Sequence, residues 1–184
     1  MRIRNEYFTP TLVLMVICFI VAMALTLTFQ VTKPIIAANT KAYADAAREE
    51  VLPSSSGSFT SVDQETLDGI ADVYIANNKS GVVITSIEKG FGGKIIVMVG
   101  INNEGSIQGI KILEHTETPG LGTKAITKNH LSQYFGQSEI TNTRTSDSTK
   151  IDAISGATIS SNAIYRAVEN SLRQFAELGG VINE

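Results

Sequence analysis

The stretch from Tyr7 to Thr32 contains no Asp, Glu, Lys or Arg, and that one feature does most to limit what the chain can fold into. From Thr11 to Phe29 the only non-apolar side chains are three threonines, whose hydroxyls can bond back to helix carbonyls. About 20 such residues at a rise of 1.5 Å cross a hydrocarbon layer ~30 Å thick. The run therefore reads as a transmembrane helix. A cleaved signal peptide is the competing reading, with Thr11 to Val21 as its apolar region and Ala22-Met23-Ala24 as a small-x-small cut site. Leu25, Leu27 and Phe29 carry the apolar run past that cut, so an uncut anchor fits better. Bulky Val16 and Ile17 ahead of Cys18 argue against a lipoprotein site.

Arg2, Arg4 and the amino terminus precede the segment, and Lys33 and Lys41 follow it. This balance favours a cytoplasmic N-terminus, a single pass through the cell (inner) membrane and an extracytoplasmic C-terminal part. Ile35 to Val51, rich in Ala, reads as a helical stalk, and Leu52-Pro53-Ser54-Ser55-Ser56-Gly57-Ser58 as a linker. The expected division is residues 1–32 for the N-terminus and membrane helix, 33–58 for stalk and linker, and 59–184 for a folded domain. Beyond residue 32 there remain 13 basic and 17 acidic groups, an acidic domain of about 150 residues with room for a core. It has no basic stripe, which disfavours nucleic acid as a partner. Its lack of cysteine rules out an internal disulfide and cysteine-based zinc or iron–sulfur ligation.

Asp72–Ala76, Gly81–Glu88, Lys94–Ile101 and Ser106–Glu114 are rich in β-branched residues, with turn residues between them. Four consecutive strands imply an antiparallel or mixed sheet. Ile126–Phe135 shows a weak helical pattern. Ile164, Ala167, Val168, Ser171, Leu172 and Phe175 recur at helical spacing, from a cap expected at Ser160 or Ser161. Strands followed by helices point to an α+β fold.

Two glycine-containing segments are not simple hairpins: Glu117-Thr118-Pro119-Gly120-Leu121-Gly122, and Asp152-Ala153-Ile154-Ser155-Gly156-Ala157-Thr158-Ile159-Ser160. The second runs straight into the last helix, whose unsatisfied N–H groups favour an anion by roughly 0.3–1 kcal/mol. A phosphate would suit the position of Thr158. The Gly-Lys-Ser/Thr ending of a Walker loop is missing, as are Gly-x-Gly-x-x-Gly and Gly-x-Ser-x-Gly, so neither nucleotide hydrolysis nor a hydrolase is supported. His115 and His130 have no paired ligand at helical spacing, and no metal site is expected. Read without further context, Ser-Gly-Ala-Thr is a tight loop before a helix.

The Asp152–Ser160 segment resembles the acceptor motif of covalently flavinylated FMN-binding domains, in which the last threonine of Ser-Gly-Ala-Thr carries FMN through a phosphoester. Phe91-Gly92-Gly93 and Glu117–Gly122 follow the order seen in that family. With the N-terminal anchor, the chain resembles the G subunits of Rnf ion-translocating electron-transport complexes over nearly its whole length. It also shares motifs with the usually longer C subunits of the sodium-translocating NADH:quinone reductase.

The resemblance implies an electron-transfer subunit with no catalytic residues of its own, in a complex linking ferredoxin oxidation, NAD⁺ reduction and ion movement. It implies FMN on Thr158, with Asp152, Ser155, Gly156 and Ala157 read by the flavin transferase during maturation. Ser160 would cap the helix or bond a phosphate oxygen. Glu117, Thr118, Leu121 and Gly122 would lie beside the flavin. Other membrane subunits are the implied partners. A stand-alone extracytoplasmic flavoprotein and a non-redox binding module are the alternatives.

Overall fold

The computed structural model describes residues 3–62, 66–140 and 151–180; Arg2, used in the charge balance above, lies outside them. The chain divides into two compact units, Met1–Tyr43 and Ala44–Glu184.

Helix α1 (Ile3–Val51) accounts for the first unit and contributes its last turns to the second. Within the first unit its apolar side chains are exposed, and it is long and apolar enough to cross a membrane. Three of its hydroxyls bond back inside the helix: Thr26 Oγ1 donates to the Ala22 carbonyl at 2.8 Å, Thr28 to Ala24 at 2.9 Å and Thr32 to Thr28 at 2.9 Å. A helix surrounded by hydrocarbon requires this, because no water is there to take those bonds.

The second unit is built on one antiparallel sheet in chain order, β1 (Phe59–Ser61), β2 (Ile70–Ala76), β3 (Gly81–Lys89), β4 (Lys94–Asn102) and β5 (Ile107–His115). The four expected strands form within a residue or two of their expected bounds, and the sheet is antiparallel throughout. β1 is an addition. Its three residues follow the serine run and are too few to show alternation, yet they pair with β2 from Phe59 opposite Ala76 to Ser61 opposite Tyr74.

Both faces of the sheet are covered. Val82, Ile84, Val97, Val99 and Ile101 pack with α3 (Thr158–Glu177), while Val83, Met98 and Ala76 pack with Ala47, Val51 and Leu52. Burial on both sides explains why these strands read as near-continuous apolar runs. The end of α1 reaches the sheet through a slot made by two cross-strand partners, Gly100 and Gly109. A Cβ at Gly100 would stand 2.2 Å from the Val51 carbonyl oxygen, and one at Gly109 2.8 Å from Val51 Cα. Leu52 and Ser55, expected in the linker, are accordingly buried, and Pro53–Ser55 forms a 3-10 turn. Arg48 lies over the Tyr74 ring at 3.7 Å, and Lys111 Nζ meets Glu50 Oε2 at 2.5 Å.

The weak helical pattern at 126–135 resolves into α2 (Lys128–Leu131) and a 3-10 turn, Ser132–Tyr134. Helix α3 buries the expected stripe of Ile164, Ala167, Val168 and Ser171. Its start differs from the expectation: it begins at Thr158, with Ala157 at the cap position and no side-chain capping bond. Both serines expected as caps face other partners, and Ser161 Oγ accepts the Ile154 N–H at 3.1 Å.

Candidate cofactor site

Three segments distant from one another along the chain converge on one cavity. They are the β3–β4 turn at Gly90–Gly93, the loop that follows β5, and the start of α3. The cavity holds about 330 Å³ and is lined by Phe91, by Glu117, Thr118, Leu121 and Gly122, and by Gly156 to Ser160. That volume is at the lower end of the roughly 300–1,000 Å³ usual for small-molecule sites.

Glu117 holds the three segments together. It is 4% exposed, accepts the Gly92 N–H on Oε1 at 3.1 Å, and accepts the Ser160 hydroxyl on Oε2 at 2.5 Å. Glycine is required around it. A Cβ at Gly90 would stand 2.2 Å from Oε1, and one at Gly122 would stand 2.1 Å from Oε2. Ser160 therefore spends its hydroxyl proton on Glu117 and does not cap the helix.

At the start of α3 the first intrahelical bond runs from the Ser161 N–H to the Ala157 carbonyl at 2.9 Å. The amides of Thr158, Ile159 and Ser160 precede that bond, so helical geometry gives them no partner within α3. They form an anion-favouring end in the cavity wall. Gly156, at φ +81°, turns the chain into it through a conformation that suits glycine. Thr158 is exposed, leaving its hydroxyl accessible. Phe91, Leu121 and Ile159 are 72%, 53% and 53% exposed and give the cavity an apolar rim.

This donor set fits a ligand that joins a phosphate to a flat apolar ring system: helix-start amides for the phosphate, apolar side chains for the ring. Thr158 would hold the phosphate end, with Phe91, Leu121 and Ile159 against the ring.

Of the residues singled out from sequence, Gly156, Ala157, Thr158, Ser160, Glu117, Thr118, Leu121 and Gly122 are brought together in the cavity wall. Ser155 is exposed and outside that lining. Asp152 also lies outside it, and its amide donates to Gln133 Oε1 at 3.1 Å. His115 is exposed at the end of β5 and takes no part. His130 is buried beside Tyr134, with its charged form disfavoured by burial, and lies apart from the cavity. Sequence reasoning missed Ile159 as a rim residue. It falls off the buried stripe that begins at Ile164, and an apolar residue on the wrong side of an amphipathic helix was the available signal.

Comparison with known proteins agrees with this geometry. Residues 90–173 match the family model described as the FMN-binding domain, a span that holds all three cavity segments. The fold is similar to that of Shewanella oneidensis NqrC, with a TM-score of 0.50 and 24% identity over 61% of each chain. The family match thus places an FMN-binding domain at residues 90–173. The G subunit of the Na(+)-translocating ferredoxin:NAD(+) oxidoreductase complex of Acetobacterium woodii is 32% identical over 93% of this chain and 92% of its own length. The G subunit of the proton-translocating counterpart from Clostridium ljungdahlii is 28% identical over 96% of each. The chain belongs to the family of G subunits of ion-translocating (Rnf) oxidoreductase complexes.

Proposed function

We propose that this chain is a membrane-anchored electron carrier holding FMN through a phosphoester on Thr158, and that it serves as one subunit of an ion-translocating ferredoxin:NAD⁺ oxidoreductase complex. The observation that carries this reading is the exposed Thr158 hydroxyl on the first residue of an uncapped helix, in the wall of a cavity with an apolar rim. Threonine supplies the hydroxyl that a phosphate ester needs, and the helix-start amides favour the anionic product. FMN supplies the electron chemistry, and the protein supplies binding, placement and electrostatics. Asp152 and Ser155, exposed in the same loop and outside the cavity lining, suit recognition by a flavin transferase during maturation.

α1 would anchor the protein with its N-terminus in the cytoplasm and its domain outside, in contact with other membrane subunits of the complex. An exported domain has no cytosolic pool from which to replace a lost flavin, and a covalent tether removes that loss. From Tyr7 to Thr32 the anchor carries no Asp, Glu, Lys or Arg, so the ion path belongs to other subunits. The G-subunit relatives align along nearly their full lengths, which supports this assignment over the quinone-reductase C subunit.

The test is a denaturing gel of the protein co-expressed with a flavin transferase and viewed under ultraviolet light. A fluorescent band is expected for wild type. Thr158→Ala should fold and insert normally but leave no fluorescence. A band that persists in Thr158→Ala would show that another residue is the acceptor.

A further inference from the structure

Glu117 is the only acidic or basic side chain among the described residues that line the cavity. Its oxygens are held by neutral donors, the Gly92 N–H and the Ser160 hydroxyl. Among the described residues it takes part in no ion pair. Glycines at 90 and 122 leave room for it where any Cβ would collide with its oxygens. A neutral amide of the same shape could bridge these segments with less desolvation cost. The fold has instead placed a carboxylate without a cationic partner against the ligand space. The first turn of α3 contains no acidic residue of its own, so Glu117 is also the group that tempers the positive end of that helix.

We propose that Glu117 sets the reduction potential of the flavin, holding it low by keeping a fixed negative charge beside the cavity; this rests on the reading that the cavity takes FMN. Each electron accepted without a matching proton adds negative charge to the ring. A nearby carboxylate in a partly dehydrated wall opposes that addition. Ser160 and Gly92 act as positioning residues, since their bonds keep the carboxylate in the wall.

The test compares full-length wild type, Glu117→Gln and Glu117→Asp, each flavinylated by co-expression and held in mild detergent. Covalent FMN per chain is read by absorbance. The midpoint potential is read in a titration with mediators, in which dithionite supplies the electrons. Glu117→Gln keeps the shape: its amide oxygen can still accept the Gly92 N–H, while its amide nitrogen donates to the Ser160 hydroxyl oxygen in a reversed bond, so it should load like wild type. It should favour the reduced form about tenfold more, an upward shift of ~59 mV for a one-electron step. Glu117→Asp keeps the charge on a shorter arm and should stay near the wild-type potential while melting at a lower temperature.

A loaded Glu117→Gln with an unshifted potential overturns the inference alone. Absence of covalent flavin from wild type overturns the cofactor reading and this inference with it, which is a distinguishable outcome. Should Glu117→Gln fail to accumulate, Thr118→Lys at the exposed neighbouring position carries the test. Its added cation offsets the carboxylate and should raise the potential, and an unchanged potential again overturns the proposal.

Discussion

Thr158 and Glu117 divide the tasks at the cavity wall. Thr158 offers an exposed hydroxyl at the helix start, while Glu117, almost fully buried in the cavity wall, fixes where that helix start lies. The tightness of this arrangement is tested at Gly122. A methyl there would meet Glu117 Oε2 at 2.1 Å and Glu117 Cβ at 3.0 Å, so the carboxylate has to move and its bond to Ser160 breaks. Gly122→Ala should destabilise the protein by about 1–3 kcal/mol, through overpacking and lost hydrogen bonding. Thermal unfolding of the full chain in detergent reads this as a lower midpoint, and a midpoint equal to wild type would show that the pocket yields. Glu117 was legible in the sequence as a loop residue of interest, but its three-way bridge was not. Gly90, Gly92 and Ser160 are distant from it along the chain, and no local pattern links them.

Among the elements, α2 and the 3-10 turn after it support the motif loop through one side chain. Gln133 Oε1 accepts the Asp152 N–H at 3.1 Å, which turns the amide nitrogen toward His130 Nδ1 at 3.0 Å. Nδ1 is therefore the acceptor and the ring proton sits on Nε2. A second proton on Nδ1 would face a donor, and burial already holds the group below its ordinary value of 6.5. The unfolded chain consequently takes up this proton first. Stability from His130 is complete above about pH 6.5 and falls as the pH drops below it, with a slope no steeper than about 1.4 kcal/mol per unit. Denaturant unfolding between pH 7 and 5 should show this slope, and His130→Gln should flatten it; equal slopes would contradict the assignment. At this scale much was legible from the sequence, since β-branched runs and a helical stripe mark β2 to β5 and α3. The first residue of α3 was not, because Ser160 and Ser161 look like caps, but Ser160 donates its hydroxyl to Glu117 and Ser161 accepts the Ile154 N–H.

For the whole molecule, an uncharged N-terminal run and an acidic α+β domain were both readable from composition and period. The docking of the α1 end on the sheet was not. It depends on Gly100 and Gly109 becoming cross-strand partners, and a glycine within a strand reads only as a weak strand position. The cavity arises in the same way, from loops that the sheet and α3 bring together. The proposed electron carriage by this chain stands on the proposed covalent bond at Thr158, and mass spectrometry of the peptide containing that residue, from protein made in its native host, tests it most directly. The expected result is an added mass equal to FMN less one water, located on Thr158. An unmodified Thr158 peptide as the sole species would contradict it.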